Sequence, residues 1–123
     1  MDDVETALVK LATKQEKDGF DFRADIWERQ LTPDLGKAVR VQFFKGNEYR
    51  VCVAVSPKSS VQIAAHVLDM EGKAVESKAE AAEGGWGVTL SVKPTRTAVY
   101  VVVVRHSGGP EKTVPCAMIS GYK

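Results

Sequence analysis

From position 37 onward apolar side chains recur at every second residue, which is the period of strands with one buried face. Trp86, Val88, Leu90 and Val92 alternate with Gly87, Thr89 and Ser91, and Tyr49, Val51, Val53 and Val55 alternate with Arg50, Cys52 and Ala54. Val61, Ile63, Ala65 and Val67 alternate with Gln62, Ala64 and His66, and Val39, Val41 and Phe43 with Arg40, Gln42 and Phe44. No segment long enough for a crossover helix separates these runs, so a parallel sheet is excluded and antiparallel pairing is predicted.

Turn chemistry divides the runs at Lys45-Gly46-Asn47, Ser56-Pro57-Lys58-Ser59, Asp69-Met70-Glu71-Gly72, Lys93-Pro94-Thr95 and Ser107-Gly108-Gly109-Pro110. About seven short strands at this spacing predict an antiparallel β-sandwich over residues 37–123. Residues 73–85 fit a helical turn, a short edge strand or a loop.

Before the strands, Val4, Ala7, Leu8, Leu11 and Ala12 carry the three-and-four spacing of one helical face. Acidic Asp2, Asp3 and Glu5 open this helix, Lys14 and Lys17 close it, and Gly19 is its expected stop. Residues 1–18 thus form an N-terminal amphipathic helix packed on the sandwich. Residues 19–36 form a connecting arm whose Phe20, Phe22, Ile26, Trp27 and Leu31 must pack on something, and which closes at Thr32-Pro33-Asp34 and Gly36. One strand breaks the alternation: Val99, Val101 and Val103 are apolar, and so are Tyr100, Val102 and Val104. Its second face calls for cover, which the helix or the arm is expected to give. The whole is one mainly β domain.

The 123 residues carry 17 basic and 16 acidic side chains without blocks of either sign, which gives neither the basic stripe of a nucleic-acid binder nor an acidic tail. The longest apolar stretch, Ala98 to Val104, falls far short of the roughly 20 residues of a helical span, so no membrane insertion is expected. The opening Met1-Asp2-Asp3 is unlike an export signal, and suits either a cytoplasmic protein read from its start or a mature exported domain.

Chemistry-bearing residues are few. His66 and His106, the two histidines, lack further residues at metal-ligand spacing and read as exposed or locally bonded side chains. A nucleophile such as Ser107 lacks an elbow motif. Gly84-Gly85-Trp86-Gly87 precedes a strand, unlike nucleotide-binding glycine loops, and reads as a turn. Asp69 and Glu71 offer oxygens in what is more simply a hairpin turn. Trp86 and Tyr49 point inward by period, which leaves Trp27 as the candidate aromatic for binding. No catalytic, cofactor or metal site is predicted, and the chain is read as a non-enzyme. The rival is a small metal-dependent hydrolase built from His66, His106 and carboxylates. Cys52 and Cys116 either form a disulfide across neighbouring strands, which would mark an oxidising compartment, or are two separate buried thiols.

Three stretches resemble the bacterial pre-peptidase C-terminal domain, a jelly-roll-like β-sandwich. They are Lys45-Gly46-Asn47-Glu48-Tyr49-Arg50-Val51, Val67-Leu68-Asp69-Met70-Glu71-Gly72-Lys73 and Thr97-Ala98-Val99-Tyr100-Val101-Val102-Val103. The resemblance spans residues 36–122 and implies a non-catalytic accessory domain of secreted bacterial enzymes, periplasmic or extracellular, recognising a protein or glycan. A monomer or weak oligomer is expected. The alternative within binding proteins is an assembly subunit that associates by its sheet edges.

Overall fold

The computed structural model describes residues 2–22, 26–32, 36–107 and 113–123. They form one helix, α1 (Asp3–Glu16), a short 3₁₀ turn at Pro57–Ser59, and nine strands. The strands are β1 (Asp21–Phe22), β2 (Trp27–Leu31), β3 (Lys37–Phe43), β4 (Tyr49–Val55), β5 (Gln62–Leu68), β6 (Lys78–Ala81), β7 (Gly87–Val92), β8 (Ala98–Ser107) and β9 (Val114–Tyr122). The turns expected at Thr32-Pro33-Asp34 and Ser107-Gly108-Gly109-Pro110 lie mostly outside the described residues.

All pairings are antiparallel, and the two sheets face one another. One sheet has the order β1-β9-β4-β7-β6, with β2 also on β9, and the other the order β3-β8-β5. The pairing is nested: β2 with β9, β3 with β8, β4 with β7, and Leu68 at the end of β5 bridged to Ala74. A long hairpin folded over on itself produces this order, and it is that of a jelly roll. Nine strands replace the seven expected, because the arm contributes β1 and β2 and the ambiguous 73–85 stretch contributes β6 as an edge strand. The arm is therefore sandwich, and its Leu31 is fully buried.

Alternation places the core. Val51, Val53 and Val55 from β4 and Val88, Leu90 and Val92 from β7 meet Tyr100, Val102 and Val104 of β8 and Ile63 and Val67 of β5. Phe43 anchors one end, its ring centroid 4.3 Å from that of Tyr49 and 5.4 Å from that of Tyr100. The Tyr100 hydroxyl donates to the Arg96 carbonyl at 2.7 Å, tying the β7–β8 turn to the core. Tyr100→Phe removes only this bond and is expected to cost about 0.5–1.5 kcal/mol, read as the shift in a urea midpoint.

The Asp2 carboxylate caps α1 by accepting from the Glu5 amide at 2.8 Å, and the helix ends just before Gly19, whose φ is +94°. Val4, Ala7 and Leu8 pack on Cys52, Ala54 and Ala117, so α1 covers the outer side of β4 and β9. This corrects the expectation that helix or arm would cover the second face of β8. The reason is size: small residues beneath the helix let it approach the sheet closely. At β7, Gly87 serves the same end, since a Cβ there would stand 2.9 Å from the Leu11 side chain. The strands buried on both faces are thus β4 and β7. Among the described residues no helix is long and apolar enough to cross a membrane.

Candidate functional site

Each residue singled out by sequence can now be placed. Cys52 lies opposite Ile119, and Cys116 opposite Val55. The two cysteines are therefore three positions apart along paired strands, an odd number, and they face opposite sides of the sheet. Cys52 lies under α1, Cys116 lies in the sandwich core, and both are free thiols. Of the two readings of the cysteines, this geometry matches two separate buried thiols and not a bridge. Burial pushes both thiols up to about 12, only partly opposed at Cys52 by the Thr89 hydroxyl and Arg50. Such thiols are inert while the fold is intact. Ellman's reagent is expected to find two thiols per denatured chain with or without reductant, and almost none in the native protein.

The histidines obey the same parity. His66 sits opposite Val103 and His106 opposite Ile63, so the two occupy opposite faces of β3-β8-β5. A site using both imidazoles is not formed. His66 is exposed, whereas His106 is buried on the core side and its Nε2 has no hydrogen-bond partner among the described residues. An unsatisfied buried donor or acceptor costs about 1–3 kcal/mol. His106→Leu is therefore expected to stabilise the protein by about 1 kcal/mol, seen as a raised urea midpoint.

Trp27, opposite Met118 on β2, is half-buried and packs against the core, with the Arg29 guanidinium 5.6 Å from its ring centroid. That is an edge-strand core residue rather than an open platform. In the Asp69 turn the carboxylate accepts from the amides of Glu71 and Lys73, both at 2.9 Å. The Lys73 amide is the main cause holding the Asp69 carboxyl below its usual range, aided by the Glu71 amide and the charges of Arg96 and Lys73 against a smaller desolvation effect. Its Oδ1 thus accepts both amides and is engaged in turn formation. The Gly84-Gly85 stretch is a turn, and its Gly85 carbonyl accepts from the Ile63 amide at 3.0 Å.

Two features were not singled out from sequence. Asp2, Glu5 and Glu28 bring carboxylate oxygens within 4.8 Å of one another where α1 begins beside β2. Glu28 is raised from the ordinary carboxylate range by desolvation, by its hydrogen bond with Glu5, and by repulsion from Glu5 and Asp2. A groove of about 850 Å³ opens beside the end of β7, between Lys78, Lys93, Arg96, Glu76 and the Tyr100 ring. There Lys93 is paired with Glu48 at 3.3 Å, and Glu48 also lies 3.9 Å from Arg50.

The most distinctive surface is the outer face of β3-β8-β5. Val99, Val101 and Val103 run down its centre on β8, Val101 lying between Arg40 of β3 and Leu68 of β5. Val99 is 37% exposed and Phe44, at the end of β3, 49% exposed. The face has an aliphatic centre, with polar Gln42, Gln62, His66 and two arginines, Arg40 and Arg105, around it. No described element packs over it, whereas the other sheet is covered by α1.

Fold and surface together define a jelly-roll β-sandwich in which, among the described residues, one sheet is covered by a helix and the other is open. Compared with known proteins, the chain matches no family model and no curated protein.

Proposed function

We propose that this chain is a non-catalytic, exported accessory module, similar to pre-peptidase C-terminal domains, that recognises a protein partner through the open face of β3-β8-β5. One observation carries this reading: a row of valines in the centre of a sheet, Val99 exposed and Val101 and Val103 half-buried, has no described element over it, in a fold that has a helix to cover the other sheet. Contiguous apolar surface with a polar rim is the common composition of a protein interface. A protein is favoured over a glycan because the face is flat and aliphatic, and the two tryptophans are half-buried against the core instead of standing on it.

A second reading, assembly through a sheet edge, has support from β3. That strand is seven residues long, ends its sheet, and contains no proline to block pairing. Light scattering separates the two, since a monomer at all concentrations counts against edge assembly.

The module reading is tested with a photo-crosslinking residue placed at Val101, and in a second protein at Lys10 on the exposed side of α1, in the producing cells. A discrete adduct from position 101 alone supports it. Adducts from both positions, or from neither, contradict it.

A further inference from the structure

We infer that the partner surface recognised by the open sheet is apolar at its centre and edged with carboxylates. The inference rests on the module reading above and specifies its partner.

The chain as a whole is nearly balanced, with 17 basic and 16 acidic side chains. Yet β3, β5 and β8 contain Lys37, Arg40 and Arg105 and not one Asp or Glu. On the outward face Arg40 of β3 stands beside Val101, and Arg105 ends the valine row on β8 itself, beside Ala64 of β5. Elsewhere carboxylates stand close enough to pair with some of the cations: Lys14 with Glu80, Lys58 with Asp3, Lys73 with Glu71 and Lys93 with Glu48. Among the described residues neither Arg40 nor Arg105 has an ion pair. The turn after β5 does carry Asp69 and Glu71, but backbone amides engage the first and Lys73 the second. A partner that desolvates the valine row therefore meets two guanidiniums that have no carboxylate partner among the described residues, and their fork geometry suits carboxylates.

The same arithmetic disfavours a second copy as occupant. Face-to-face self-association brings two arginines from each copy into one interface with no carboxylate from either sheet, and like charges suppress wrong partners. An anionic membrane shares the charge logic, but the apolar groups here lie in a flat sheet instead of projecting from loop tips.

The test is selection of peptides from a random phage-displayed library on the immobilised protein, with a Val101→Glu variant used for counter-selection. Thermal unfolding first checks that Val101→Glu and the double variant Arg40→Glu/Arg105→Glu remain folded. Selected peptides are expected to be enriched in aliphatic residues together with Asp or Glu, and to bind the double variant about tenfold or more weakly, which is the effect of about 1.4 kcal/mol. Peptides that lose binding on Val101→Glu yet carry no acidic enrichment and tolerate the double variant overturn the charge inference while leaving the module reading standing. Peptides indifferent to Val101→Glu overturn both. Sedimentation with phosphatidylglycerol vesicles that is lost in the double variant reassigns the face to a membrane, and a dimer by light scattering reassigns it to a second copy.

Discussion

Phe43→Ala is expected to cost about 3–5 kcal/mol, the range for truncating a buried phenylalanine. The ring is only 1% exposed and lies between Tyr49 and Tyr100, at 4.3 and 5.4 Å between centroids. Both tyrosines are held from outside the ring: Tyr49 by the Phe44 amide and the Asn47 side chain, Tyr100 by the Arg96 carbonyl. Neither can move into the space the phenyl group leaves without breaking its hydrogen bond, so the cavity persists. Losses approaching 5 kcal/mol are comparable to the whole stability of a small domain. Urea denaturation checks this, with Phe44→Ala as control: its neighbour in sequence is 49% exposed and is expected to change stability by about 0.5 kcal/mol or less.

Leu8→Ala is the second large effect, at about 2–4 kcal/mol, and it differs in kind. Leu8 is 1% exposed and is the largest fully buried side chain that α1 contributes. It sits on Cys52, Ala54 and Ala117, and an amphipathic helix of this length draws most of its stability from such packing. The helix can therefore leave the sheet before the sandwich unfolds. In Leu8→Ala, Cys52 is expected to react with a maleimide at low urea, ahead of Cys116, whereas Val9→Ala, altering a residue 42% exposed, leaves both protected. Equal reactivity of the two thiols throughout the titration contradicts the two-layer burial.

The large-scale pattern was readable because period and parity are local. The helix face of Val4, Ala7 and Leu8, the inward Tyr49 and the hairpin at Asp69 follow from spacing and turn chemistry alone. What was hidden depends on neighbours. Alternation shows that Cys52 and Cys116 lie in strands but not which residues oppose them, and the parity of the β4–β9 register decides the outcome. The valine run of β8 suggested two covered faces, because hydrophobicity was read without size. A helix seats where residues are small, as at Cys52, Ala54, Ala117 and Gly87, and a valine ridge is a worse seat. The arm reads as a connector in the sequence because β1 and β2 are too short to show a clear period. The carboxylate-free character of β3, β5 and β8 was present in the sequence throughout, and acquired meaning only once those three strands proved to share a sheet.

Among the described residues α1 covers one sheet and leaves the other open. The most direct measurement is the maleimide labelling rate, without denaturant, of a Val99→Cys variant, comparing the new thiol with the native Cys52 and Cys116 in the same molecule. The account predicts fast labelling at position 99, with Cys52 and Cys116 unlabelled until the protein unfolds. A position 99 as protected as Cys52, or a Cys52 that labels readily in the native protein, contradicts it.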